Sequence, residues 1–190
     1  MMSKKTKWDA PAPNRNGFAD WWELYAKDHH FLRTRWRNLH QLDEMMWRSN
    51  QPSPKQIAQI AEMGIQNVIN LRGPRTAGAW QLEAEACAKH GLRLYDFTAR
   101  SRAAPDKQML YDARDLFAAL DGPSLMHCKS GADRAGLMSA LYMLIVKQSG
   151  ARAALAQLSF KYLHVKQAKT GLLDAFLASY IPYEDQGMAF

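Results

Sequence analysis

His127, Cys128 and Arg134 are the residues whose types and spacing could do chemistry together. They stand in the stretch HCKSGADRAG, with five residues between the cysteine and the arginine. A segment of that length can curl until its backbone N–H groups point to a common centre. Such a nest, continued by a helix N-terminus, binds a tetrahedral dianion. The same field stabilises a thiolate and makes Cys128 a nucleophile. Gly131 supplies the sharp turn. Arg134 returns to the mouth of the loop, where its planar fork can hold two phosphate oxygens. Lys129, Ser130, Gly131, Ala132, Asp133 and Arg134 are therefore the phosphate-binding candidates. His127 orients the loop from beneath through hydrogen bonds to its backbone. The competing reading makes Cys128 a buried thiol at a strand end. Cys87, the other cysteine, lies among alanines in a helical stretch and is read as core.

Such a loop needs a strand before it and a helix after it. Ser124–His127 reads as a buried strand, and an apolar helix follows from about Ala132 to Gln148. Open α/β sheets bind ligands at that end of a strand. Upstream, Ser53-Pro54-Lys55-Gln56 is a capping box with proline at the first helical position. Ile57, Ile60 and Ala61 continue it at helical spacing until Gly64. Residues 67–71 form a β-rich run, a helix spans about 77–90, and residues 92–97 alternate as a strand. A further helix starts near Pro105 and Asp106 and ends near Leu120. Helices over about 151–162 and 170–180 close the chain, and residues 37–51 predict a hairpin turning at Leu42-Asp43-Glu44. Strands alternating with helices imply βαβ units. The expected fold is a single-domain α/β fold, with a mostly parallel central sheet of about four to five strands flanked by helices.

Residues 1–17 read as a flexible tail, 18–44 as an aromatic and basic extension, and 45–190 as the main domain. Phe18, Trp21, Trp22, Tyr25, Phe31 and Trp36 are interleaved with Arg33, Arg35 and Arg37. Residues 18–37 thus have two readings: a brace packed on the domain, or a peripheral membrane contact.

The 190 residues are 47% hydrophobic and 23% charged, an ordinary globular composition. No apolar run approaches the ~20 residues of a membrane span. The first residues lack the apolar core of a secretory signal, so a cytoplasmic location is expected, with a peripheral place at the inner face of a membrane as its variant. Two cysteines exclude a disulfide scaffold and a four-cysteine zinc site. The net charge of +7 favours an anionic partner.

HCKSGADRAG resembles the H-C-x5-R phosphate loop of the protein-tyrosine and dual-specificity phosphatases. Its Lys-x-Gly-x-Asp-Arg form is most similar to bacterial and phosphoinositide-directed members. Arg48-Ser-Asn-Gln-Pro52 and Val68-Ile-Asn-Leu-Arg72 also resemble the compact bacterial branch, and the resemblance covers about residues 45–150. It implies a phosphatase domain over 45–190 with no metal or other cofactor. Cys128 would attack phosphorus, Arg134 and the loop amides would hold the transferring group, and water would cleave the phosphocysteine. The implied substrate is a phosphorylated protein, as phosphotyrosine, or an anionic phospholipid or glycolipid such as a phosphoinositide. No nucleic acid is expected. The alternative is a weakly active or inactive phosphate-binding module. An arsenate reductase or sulfurtransferase is a further rival, and arginine at the sixth position after the cysteine argues against sulfur transfer.

Two departures from the family pattern stand out. Ala135 occupies the place of the family's Ser or Thr, whose hydroxyl assists release of the thiolate. The family also places an aspartic acid on a loop upstream of the cysteine. Asp96 stands 32 residues before Cys128, but at the end of a predicted strand, and the loop Thr98–Ala104 holds no acid. Asp96 is the preferred acid, with Asp106 and Asp133 behind it. Arg100 and Arg102, joined by Arg72 and Arg75, are candidates for binding a second phosphate or an anionic headgroup. Lys161, His164, Lys166 and Lys169 read as a solvated basic face.

Overall fold

The computed structural model describes residues 5–13, 36–74 and 78–190. The expectations placed on residues 1–4, 14–35 and Arg75 lie outside the described residues, most of the aromatic segment among them. The strands are β1 (His40–Gln41), β2 (Met46–Ser49), β3 (Asn67–Asn70), β4 (Arg93–Asp96) and β5 (Ser124–His127). Among the described residues the α-helices are α1 (Pro54–Glu62), α2 (Gly78–Lys89), α3 (Lys107–Ala119), α4 (Asp133–Ile145), α5 (Ala151–Leu155) and α6 (Leu172–Glu184). The sheet order is β1-β2-β5-β3-β4. Among the described strands the hairpin pair β1–β2 is antiparallel, and the β2–β5, β5–β3 and β3–β4 pairings are parallel. The α/β class, the hairpin and the sheet are as the pattern of elements implies.

The chain divides into two compact units. One holds the sheet, α1 and α2, from residues up to Thr98 together with Leu120–Ser130; the other holds Ala99–Ala119 and Gly131–Phe190. The chain passes from the first to the second between Ser130 and Gly131.

In the sheet unit, Ser49 lies opposite His127, His127 opposite Asn70, and Asn70 opposite Asp96. Residues opposite one another share a face, so these four form a polar row at the carboxyl ends of four strands. Two residues back, Leu125, Val68 and Leu94 share that face. They pack with Ile57 and Ile60 of α1 and Trp80 and Cys87 of α2. Helices thus cover this face, and Cys87 is core as expected. α1 begins as its residues dictate. Ser53 accepts the amide of Gln56, Gln56 Oε1 accepts the amide of Ser53, and Pro54 sits in the first turn.

Part of the expected tail is fixed to the sheet. Ala10 N–H donates to Leu94 O at 2.9 Å, and Asp96 N–H donates to Trp8 O at 2.8 Å. Asp9 thereby forms an antiparallel bridge with Tyr95 on the outer side of β4. So short a pairing, followed by Pro11 and Pro13, leaves no alternation to read.

In the helical unit, the helix expected over 151–162 ends at Leu155. Ser159 is extended, Phe160–Tyr162 make a single 3-10 turn, and Leu163 is left-handed at φ 66°. The Glu184 carboxylate accepts the Ala151 amide at 2.9 and 3.0 Å, which ties the start of α5 to the end of α6. Edge-on packing of Phe117 against Tyr142, 5.4 Å between centroids, joins α3 to α4. No described helix is long and apolar enough to cross a membrane.

Candidate active site

β5 carries His127 on the face covered by α2, and Cys128 follows directly. The imidazole is fully buried, with Nε2 2.6 Å from Oε1 of Glu83 on α2, also fully buried. Neither atom has another partner among the described residues. Glu83 Oε2 accepts from Gln51 Nε2 at 3.0 Å, and Gln51 Oε1 accepts from the Arg72 guanidinium. A carboxylate and an imidazole out of water are costly unless partnered. Here four side chains supply one another in a polar train beneath the first residues of the loop.

The loop carbonyls are held one after another. Cys128 O faces His127 Nδ1 at 3.4 Å, Lys129 O accepts from Gln51 N–H at 3.4 Å, and Ser130 O accepts from Asn38 Nδ2 at 3.1 Å. A planar trans peptide points its N–H opposite to its C=O. The amides of Lys129, Ser130 and Gly131 are therefore each turned away from the group that holds the preceding carbonyl. Gly131, at φ 76°, then makes the turn that a side chain would oppose.

Beyond the turn, Ala132 caps α4 and its carbonyl accepts the Gly136 amide at 2.8 Å. Asp133 and Arg134 occupy the first helical turn, where unsatisfied amides and the positive end of the helix favour an anion. Lys129, Asp133 and Arg134 are half-buried, Ser130 is exposed, and Gly131 and Ala132 are buried. Cys128 is nearly closed to solvent. Ala135 is fully buried, and its carbonyl accepts from Ser139 Oγ at 2.7 Å.

Asp96 ends β4. Its carboxylate accepts from Asn70 Nδ2 at 2.7 Å and from Trp80 Nε1 at 3.0 and 3.1 Å. Burial raises the carboxyl's pKa from its ordinary value. The Asn70 and Trp80 hydrogen bonds pull it back, and the Glu83 charge adds to the rise. Asp106 accepts the Met109 amide at 2.8 Å, so it serves as the start residue of α3. Asp133 is bound to His164 at 2.7 Å.

Arg72 is bound up with Gln51, whereas Arg100 and Arg102 are exposed before α3. Lys161, Lys166 and Lys169 are exposed, as a solvated face requires. His164 is the correction: it is buried between two carboxylates rather than solvated. Asn38, Gln51, Glu83 and Asp174 escaped the sequence reading. Glu83 did leave a signal. It sits three residues after Trp80 and four before Cys87, on the helix face those core residues occupy.

Comparison with known proteins agrees with this arrangement. The family model PTP-SAK, described as a Swiss Army Knife protein, DSP-PTPase phosphatase domain, matches residues 37–172. The chain belongs to this family of tyrosine and dual-specificity phosphatase domains, and the match runs through both units. Over 122 residues, 64% of this chain, it is 28% identical to the dual specificity protein phosphatase TpbA of Pseudomonas aeruginosa. That match covers 53% of the relative, so the chain spans about half the length of the curated relatives it matches. The fold is also that of the TpbA crystal structure, at a TM-score of 0.62 and 22% identity over 75% of this chain and 84% of that one. A second TpbA crystal structure, in complex with phosphotyrosine, gives a TM-score of 0.54 and 23% identity over 74% and 90%.

Proposed function

We propose that this chain is a cysteine-dependent phosphatase that hydrolyses phosphotyrosine on protein through a phosphocysteine intermediate, in the cytoplasm. The observation that carries the reading is the row of three pinned loop carbonyls, each of which turns the following amide away from its partner, between a nucleophile and an arginine. The phosphotyrosine complex of the relative TpbA supports the choice of substrate.

In this reading Cys128 attacks phosphorus as the thiolate. The Sγ–P bond forms as the bond to the leaving oxygen breaks. Arg134 and the loop amides hold the equatorial oxygens, whose charge is greatest in the transition state. Asp96 gives its proton to the leaving oxygen, and its raised affinity for that proton suits an acid. Water then gives a proton to the Asp96 carboxylate and attacks phosphorus, and the Sγ–P bond breaks to release inorganic phosphate and restore the thiolate. Arg100 and Arg102 offer charge for a second anionic group of the substrate.

One specific observation favours a second reading. Ala135 lacks the hydroxyl that assists the second step, as a phosphate-binding module would. Turnover of phosphotyrosine peptide, phosphoinositide vesicles and nitrophenyl phosphate, with and without Cys128→Ser, separates the possibilities. The expected result is fastest turnover of the peptide. Cys128→Ser should bind inorganic phosphate yet turn over nothing, because a serine hydroxyl stays protonated where a thiol ionises. Activity well above a trace in the variant would remove the covalent mechanism. Phosphate binding without turnover in the unsubstituted protein would favour the module.

A further inference from the structure

An acidic side chain inside an anion-binding loop is a liability. Asp133 immediately precedes Arg134, where a loose carboxylate would repel a dianion and compete for the guanidinium. The structure shows it occupied elsewhere. Asp133 Oδ1 lies 2.7 Å from His164 Nδ1, and among the described residues Arg134 has no carboxylate partner. The His164 side chain is fully buried, and its Nε2 lies 2.7 Å from Oδ2 of Asp174, a buried residue of α6. Each ring nitrogen thus faces a carboxylate oxygen, the group to which an imidazole N–H donates.

The backbone beside the ring is irregular. The helix expected to run through residue 162 stops short, and Leu163 adopts φ 66°, a conformation that side chains disfavour. His164 N–H then donates to Ser159 O at 3.2 Å, closing the turn. Strain beside a fully buried, doubly bound histidine points to a position that the surrounding structure over-determines.

We propose that His164, clamped by Asp174, is a positioning residue that holds the Asp133 carboxylate away from Arg134 and so keeps the loop receptive to an anion. The proposal rests on the phosphate-loop reading above, but not on which residue is the acid.

The test is calorimetric titration with inorganic phosphate. The unsubstituted protein should bind, and Arg134→Lys should bind more weakly; if neither bound, the loop reading would fall and take this proposal with it. His164→Ala should weaken phosphate binding about tenfold, through one released negative charge near the guanidinium. Adding Asp133→Asn to His164→Ala should restore binding to near that of Asp133→Asn alone, because the released group then carries no charge. A histidine needed only for packing would not be rescued by neutralising its neighbour. Asp174→Asn, which keeps the ring, should weaken binding in the same direction and be rescued in the same way. Unchanged binding in both His164→Ala and Asp174→Asn, or a loss that Asp133→Asn does not restore, would overturn the proposal.

Discussion

Ala135 puts a methyl group where related phosphatases carry a hydroxyl, in the first turns of α4 and fully buried. In the proposed mechanism, departure of the thiolate from phosphocysteine then lacks one donor, and the second step should be slow. Ala135→Ser should speed it by up to about tenfold if one hydrogen bond of roughly 1.4 kcal/mol is gained. Rapid-mixing kinetics should display a burst that shrinks in the variant; no burst in either would mean that the first step or product release is limiting. Asp96 makes a different prediction. An alkyl or tyrosyl oxygen leaves as a strong base and needs a proton, whereas nitrophenolate hardly does. Asp96→Asn should therefore cost on the order of 10²-fold on phosphotyrosine and little on nitrophenyl phosphate. The acid must be protonated, so the rate should fall as pH rises through the raised value, and that limb should flatten in the variant. Equal losses on both substrates would make Asp96 a strand-end anchor for Asn70 and Trp80. The same upward shift bears on folding. The native state holds this proton more tightly than the unfolded chain, so the stabilisation is full below the ordinary carboxylate range and is lost as pH rises through the raised value.

At the scale of elements, the loop is held by parts that its own sequence does not contain. Asn38, at φ 44°, accepts a left-handed backbone and gives its amide to Ser130 O. Asn38→Gly keeps that backbone freedom and removes the donor. It should weaken phosphate binding about fivefold, the worth of roughly 1 kcal/mol, without unfolding the protein. Phosphate inhibition beside a denaturant curve measures both, and unchanged inhibition would mean that the loop holds itself. The contrast explains what could be read from the chain. The start of α1, the β5–loop–α4 junction and the turn at Gly131 rest on neighbours a few residues apart, so Ser53, Pro54, Gln56 and Gly131 announce them. The bond from Asn38 to Ser130 spans 92 residues, and no local pattern encodes it. Apolar spacing through Leu155, Leu158 and Tyr162 imitates a continuing helix, and only tertiary bonds to Asp133 and Asp174 reveal why the chain breaks off and buries His164 among lysines.

Across the whole molecule, the motif runs from one compact unit into the other, with His127–Ser130 in the first and Gly131–Arg134 in the second. Alternation of strands and helices was enough to set the α/β class, because each element carries its own period. The treatment of the sheet's open side was not legible, since Trp8, Asp9 and Ala10 form too short a stretch to show one. That short pairing has a consequence for solubility. An outermost strand offers unpaired N–H and C=O groups to any other strand, and proteins guard such edges. β4 is outermost, and the backbone of residues 8–10 occupies its outward row. Deleting residues 1–10 would bare Leu94 O and Asp96 N–H to a second molecule. Light scattering over a concentration series should then find a mass that climbs with concentration for the shortened chain and a constant mass for the full one; a constant mass for both would mean that the prolines and charges near the edge already forbid strand-to-strand association.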